Sequence, residues 1–219
     1  MAQTNGKATV TVETSPGRKG QLIRLDYDDE SFAVPIGPDG IARIDFALLQ
    51  QSNSFTVRGG EMRAAKCKID FPDIAKFYRV VLRWHDPVRV DLHTIEPGSS
   101  NDPAAIGHIH RAAPNTASDR GAGTLDIVTD PGTPGATGEQ SYVVAKADKP
   151  PGRYNFRADY VSRGDAPTGE YCDKGSLASI ELTLISIEDG KAQPPKKYVT
   201  GALPCGQPID AETRLIRLR

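Results

Sequence analysis

The stretch Tyr78-Arg79-Val80-Val81-Leu82-Arg83-Trp84-His85 reads as a strand. Tyr78, Val80, Leu82 and Trp84 recur at period two on one face, and Arg79, Val81, Arg83 and His85 share the other. The same period runs outward in both directions. Towards the N-terminus, Ala8, Val10 and Val12 alternate with Thr9, Thr11 and Glu13. Phe32, Val34 and Ile36 enter the turn Gly37-Pro38-Asp39-Gly40, and the chain returns through Ala42, Ile44 and Phe46. Phe55 and Val57 lead into Gly59-Gly60, followed by Ala65, Cys67 and Ile69. Towards the C-terminus, Val90, Leu92 and Thr94 follow Pro87, with Asp91 and His93 on the opposite face. Strands are expected at Thr124–Thr129 and Ser141–Ala145. Tyr154, Phe156, Ala158 and Tyr160 form one stripe, and Ala178, Ile180, Leu182 and Leu184 another.

This pattern predicts an all-β protein of two antiparallel β-sandwich (Ig-like) modules with long loops. Residues 1–74 make a small N-terminal module and residues 75–219 a longer one. Loops rich in Pro, Asn, Ser and Gly are expected at 97–123 and 130–140. One short helix competes with a strand over Asp45–Gln51. The tail from Gln193 to Arg219 is expected to wrap the surface and end in a strand over Arg214–Leu218.

The chain has 219 residues, 38% hydrophobic and 25% charged, with a net charge of −1. No apolar run approaches the roughly 20 residues needed to span a bilayer as a helix. Lys and Arg form no run longer than three residues, which argues against nucleic acid as the main partner. The opening Met1-Ala2-Gln3-Thr4-Asn5-Gly6 carries no basic or apolar leader. Ala2 or Gln3 is the expected mature N-terminus of a secreted or periplasmic protein whose leader has been removed.

Cys67, Cys172 and Cys205 have no Cys-x-x-Cys spacing, so a thiolate zinc site is not expected. Cys172 and Cys205 sit in Gly- and Pro-containing loops and are the preferred disulfide pair. Cys67 alternates with lysines and reads as a small inward-facing residue. Three reduced cysteines in a cytosolic protein remain the alternative.

All four histidines fall between His85 and His110, together with the single tryptophan, Trp84. Asp91-Leu92-His93 puts an acid and an imidazole on one face of a strand, ~7 Å apart along the backbone. His108-Ile109-His110 repeats the arrangement with two imidazoles. Such pairs on neighbouring strands suit a transition metal such as zinc bound by His93, His108, His110 and Asp91. They equally suit a polar sheet face hydrogen-bonded to backbone. Calcium is a second cation candidate, with Asp86, Asp91, Asp126, Asp130 and Glu139 as oxygen donors, although no Asp-x-Asp-x-Asp-Gly loop is present. Support for an enzyme is weak. The chain has no Gly-x-Ser-x-Gly or His-Glu-x-x-His motif, and Ser99, Ser100 and Cys172 lack activating neighbours. Trp84, Tyr154, Phe156 and Tyr160 fit a core stripe better than an exposed aromatic platform.

Residues 78–191 resemble the YfaP-type bacterial domain of unknown function. The resemblance is carried in order by Leu82-Arg83-Trp84, Asp91-Leu92-His93, Glu96-Pro97-Gly98 and Gly123-Thr124-Leu125-Asp126. It continues through Glu139, Pro151-Gly152-Arg153-Tyr154 and Asp189-Gly190. It implies a secreted or periplasmic β-sandwich with Asp91, His93 and Asp126 as signature residues. Two positions depart from the family pattern, where acids often precede Asp-Leu-His and follow Leu-Asp. Arg89 and Val128 stand there instead, and Arg89 would act as a fixed positive charge.

Taken together, these features predict a non-enzymatic protein for binding or assembly at the bacterial cell envelope, partnered by a protein or envelope component. Its signature or binding residues are Trp84, Arg89, Asp91, His93, Asp126 and Glu139. A metal-binding protein or metal-dependent enzyme using the His85–His110 window is one alternative. A structural subunit of an extracellular assembly, pairing through sheet edges, is the other.

Overall fold

The alternating segments do form strands. The computed structural model describes residues 2–4, 7–14, 18–50, 52–60, 62–70, 76–115, 123–131, 135–144, 152–163, 177–188, 191–205, 209–210 and 216–218. The first strands are β1 (Ala2–Thr4), β2 (Lys7–Glu13), β3 (Leu22–Tyr27), β4 (Glu30–Pro35), β5 (Ile41–Ala47), β6 (Ser52–Gly59) and β7 (Met62–Asp70). Next come β8 (Lys76–Trp84), β9 (Val88–Ile95), β10 (His108–Ile109), β11 (Gly123–Thr129), β12 (Gly138–Val144) and β13 (Gly152–Arg163). The chain closes with β14 (Leu177–Glu188), β15 (Lys191–Ala192), β16 (Lys196–Pro204), β17 (Ile209–Asp210) and β18 (Ile216–Leu218). The protein is all-β: its described strands make several antiparallel sheets, without a barrel or a helix.

Two sheets occupy the N-terminal half, ordered β1-β2-β5 and β4-β3-β6-β7. The second half holds a central sheet, β11-β12-β8-β14-β15 with β16 also on β14, and an outer sheet, β10-β9-β13-β17 with β18 on β13. The helical candidate at Asp45–Gln51 is not a helix. Asp45–Ala47 completes β5, and Leu48 and Leu49 are buried coil. The expected surface tail also differs, because Lys196–Pro204 is a nine-residue strand paired with β14. Its Gly and Pro residues hid a strand whose Leu203 enters the core.

The central sheet is buried on both faces, and alternation divides its residues between two cores. Tyr78, Val80, Leu82, Trp84, Tyr142, Val144, Ile180 and Leu182 pack against Val90, Leu92, Tyr154 and Phe156 of the outer sheet. Val81, Val143 and Ile185, from the opposite face, pack into the cluster of Ile23, Leu25, Phe32, Ile44, Phe46 and Phe55. The N-terminal half thus completes its core on the second half. Gly138 lies opposite Trp84, and a Cβ there would stand 2.2 Å from the indole, so the ring occupies the space a larger residue needs. The indole Nε1 donates to the Val88 carbonyl at 2.7 Å, tying β9 to the central sheet.

Charged residues also lie between the layers. Arg83 Nε donates to Glu139 Oε2 at 2.7 Å, with side-chain exposures of 3% and 0%. The other Glu139 oxygen accepts from Ala47 N at 2.8 Å. The Arg83 guanidinium sits 5.7 Å from the Tyr27 ring centre and 5.4 Å from that of Phe32. Beside it, Arg79 donates to Asp126 at 2.6 Å and to Ser141 Oγ at 2.5 Å. A bulge between Leu125 and Ile127 leaves Asp126 unpaired in the ladder and available to Arg79.

Removing one member of a buried pair strands the other charge. Arg83→Met is expected to cost about 3–5 kcal/mol in urea denaturation. Adding Glu139→Leu should recover much of that, leaving about 1–3 kcal/mol for the orphaned Ala47 N–H. A double variant no more stable than the single would show that the cost lies in lost packing rather than in the unpaired carboxylate.

Candidate functional site

The outward residues of β9 are Arg89, Asp91 and His93, each half-buried or nearly buried. Those of β13 are Asn155, Arg157 and Asp159. Antiparallel register sets His93 opposite Arg157 and Asp91 opposite Asp159. Two carboxylates facing each other across strands repel, and three arginines answer them. Arg89 donates to Asp91 at 3.3 and 3.0 Å, Arg111 Nε lies 2.7 Å from Asp91, and Arg157 donates to Asp159 at 2.7 and 2.9 Å. Arg111 also donates to both oxygens of Asp130, at 2.7 and 2.8 Å. Burial by itself pushes the Asp91 carboxyl up. The Arg89 hydrogen bonds, the Arg111 charge and the Gln140 amide outweigh it and hold Asp91 below the usual carboxylate range.

Gln140 reaches across from the central sheet. Its Oε1 accepts from Leu92 N at 2.8 Å, and its Nε2 donates to the Val90 carbonyl at 2.7 Å and to Asp91 Oδ1 at 3.2 Å. It thereby satisfies backbone groups on the β9 edge next to Asp91.

The loop after β9 folds back so that β10 pairs with the end of β9, His108 opposite Ile95. Asp102 shapes it by accepting from Ala104 N at 2.9 Å, and Gly107 adopts a φ of 84° immediately before His108. This fold gathers three imidazoles. Ring centres lie 5.1 Å apart for His93 and His108, 5.0 Å for His93 and His110, and 5.4 Å for His108 and His110. The His93 and His110 rings are stacked within 8° of parallel.

The partners assign the tautomers. His108 Nδ1 faces the Asp102 carbonyl at 2.9 Å and must donate to it, leaving Nε2 to accept from His93 Nδ1 at 2.9 Å. His110 Nε2 donates to the Pro103 carbonyl at 3.2 Å. His93 Nε2 then turns its lone pair towards Asp159 Oδ2, 3.6 Å away. The chain from Asp102 through His108 and His93 to Asp159 is complete only when the two imidazoles share one extra proton. Burial works against that proton and pushes His93 down to about 4, with Asp159 opposing the shift and His110 and His108 adding to it. His108 is lowered as well, by burial first, against the hydrogen bond to Asp102.

The structure thus brings His93, His108 and His110 together, but it does not bring Asp91 to them. Asp91 belongs to Arg89, Arg111 and Gln140. Among the described residues no three His, Cys, Asp or Glu side chains are arranged to hold a metal ion. The proposed calcium donors do not converge either. Asp86 accepts from Ser179 N at 2.8 Å, while Asp126, Asp130 and Glu139 are each engaged by an arginine. Trp84, Asp126 and Glu139 lie in the cores and between layers, and His85 pairs with Glu30 at 3.2 Å. Cys205 is disulfide-bonded and Cys67 is free, whereas Cys172 lies outside the described residues. Val128 lies in β11, and its side chain is outside the described set. Sequence reasoning passed over Gln140, Arg111, Arg157 and Asp159. The alternation of Asn155, Arg157 and Asp159 behind an aromatic stripe was the available signal for the last two.

No protein-family model, curated protein or solved structure matches this chain.

The depressed His93 has a defined pH signature. Its imidazole is held near 4 in the folded protein against an ordinary 6.5, so the unfolded chain takes up the proton first as pH falls. The stability that depends on neutral His93 is whole above pH 6.5, declines towards pH 4 and then levels off. The full shift corresponds to about 3 kcal/mol. His93→Asn should flatten this part of the stability profile in urea denaturation across the same range. An unchanged slope would assign the acid loss to carboxylates instead.

Proposed function

We propose that this is a non-enzymatic binding or assembly protein of the bacterial cell envelope, secreted or periplasmic, whose recognition surface is the outer face of β9 and β13 with the loop 96–115. The observation that carries this reading is a face on which Arg89, Asp91, Arg111, Asp130, Arg157, Asp159 and three histidines are linked by ion pairs, a hydrogen bond and ring stacking. A rigid charged surface selects a complementary partner by pattern and excludes mismatched ones by repulsion. Catalytic sites are usually concave, and a cleft of about 560 Å³ lies elsewhere, at Arg18, Gln21, Leu22 and Gly60. The disulfide at Cys205 fits an oxidising compartment. If residues 78–191 belong with the YfaP-type domain they resemble, the same location follows.

Exchanging Arg157 for Asp and Asp159 for Arg keeps an internal pair and inverts the pattern shown to a partner. Co-sedimentation with isolated envelope fractions is expected for the wild-type chain and should fall at least about tenfold for the exchanged chain, the loss of one charge-assisted contact or more. The melting temperature should stay near wild type. Equal retention of both proteins, or recovery of the native protein in the cytosol, would sink the proposal.

A metal-binding alternative draws on one observation: the assigned tautomers leave lone pairs on His93 Nε2 and His110 Nδ1, with Asp159 nearby. Tag-free protein titrated with zinc would then bind one equivalent, lost on His93→Ala. Absence of saturable zinc binding at neutral pH would dismiss it.

A further inference from the structure

We infer that the N-terminal half carries an oxyanion-binding cleft, suited to a phosphate or sulfate group, on the exposed side of the β3–β6–β7 sheet. Two adjoining depressions of about 560 and 230 Å³ share Leu22 and Gly60. Arg18 and Gln21 line the first, and Arg24, Arg58 and Ala64 line the second. In sequence these arginines are scattered through two hairpins, and pairing brings them together. Arg24 of β3 stands directly opposite Arg58 of β6. A register shift between Val57 and Gly59 leaves Arg58 without a partner in the β6–β7 ladder. Gly60, at a φ of 47°, brings the turn towards Arg18 and Gln21: a Cβ built there would lie 3.3 Å from Gln21 Oε1 and 3.8 Å from Arg18 Nη1.

The charges of Arg24 and Arg58 are incompletely answered. Arg58 pairs with Asp26 at 2.9 Å, and both are exposed enough for that pair to be weak. Arg24 makes no ion pair or side-chain hydrogen bond among the described residues. Glu61 lies outside them. Like charges directly opposite across strands are destabilising, so this sheet carries an unfavourable pair that a bound anion would relieve. Guanidinium forks match the oxygens of phosphate and sulfate. No aromatic residue among the described residues lines either depression, so the stacking that single-stranded nucleic acid uses is not provided by them.

The test uses the full chain, with inorganic phosphate as the free source and phosphatidylglycerol vesicles as the surface-borne source, each against chloride at equal ionic strength. Saturable binding by calorimetry or co-sedimentation is expected for at least one probe, with about tenfold weaker affinity in Arg24→Gln and in Arg58→Gln. Arg43→Gln, at the exposed Arg43–Asp39 pair of β5, should bind as wild type. In the absence of ligand, Arg24→Gln should raise the melting temperature at low salt, because it removes the cross-strand repulsion. A purely structural arginine would lower it. Phosphate alone binding assigns a soluble ligand, and vesicles alone binding assigns a lipid headgroup. The inference is overturned by no saturable binding of either probe, by wild-type affinity in both Arg24→Gln and Arg58→Gln, or by tighter retention of a single-stranded oligonucleotide than of either probe.

Discussion

A guanidinium and a carboxylate taken out of water between two β layers must find each other, and Arg83 and Glu139 do so at 2.7 Å. They are directly opposite in the β8–β12 ladder, so the pair specifies register as well as charge balance. A slip of one residue would move Glu139 to the face occupied by Trp84 and set Arg83 opposite Gly138 or Gln140, away from its carboxylate. With register fixed, Gly138 falls opposite Trp84 and leaves room for the indole, while Gln140 falls opposite Leu82 and points to the other layer. Gln140 then holds the β9 edge at Val90 and Leu92, the residues flanking Asp91. The position of His93 therefore depends, through two hydrogen-bonded steps, on an ion pair that never touches it. The same carboxylate takes the Ala47 N–H, so the N-terminal half is seated by the group that sets the register.

Much of the fold was legible because period two is a property of each strand alone. The faces read from Tyr78–His85 are the faces observed, and the stripes of Tyr154–Tyr160 and Ala178–Leu182 enter the core as their alternation requires. The identity of the covering layer was not legible. The Arg79, Val81 and Arg83 face could have met solvent, and it meets the N-terminal half because Phe32, Phe46 and Val81 complete one apolar cluster over long sequence separations. Lys196–Pro204 was read as tail because its Gly and Pro content masks a strand whose place is set by β14.

At the candidate site the residue types were legible and their partners were not. His93, His108 and His110 converge because a loop of turn-forming residues returns β10 to β9, and no local pattern encodes that return. Asp91 was read with His93 because the two share a face, but strand neighbours at period two are far enough apart for each to choose another partner. Arg111 and Gln140, distant in sequence, take Asp91. Asp126 and Glu139, expected from the sequence to be signature residues, serve the layer between halves rather than the histidines.

The two sheets that face outward resolve the same electrostatic problem differently. On β9 and β13, carboxylates opposite each other are screened by three arginines, so the charges are largely spent within the chain and what remains to a partner is pattern. On β3 and β6, two arginines oppose each other and one nearby carboxylate, Asp26, offsets Arg58, leaving positive potential in a depression. A self-neutralised face suits recognition by shape and charge order with little desolvation cost to either side. An unbalanced one draws counter-ions and gains more from a single multivalent anion than from several separate ions, because one immobilised ligand then satisfies several donors. The difference follows from composition at the paired positions. Asp opposite Asp was supplied with Arg neighbours on both strands, and Arg opposite Arg was not given an equal number of acids. Arg24, set opposite Arg58 and without an ion pair of its own among the described residues, is the kind of local inconsistency expected where a chain meets a ligand.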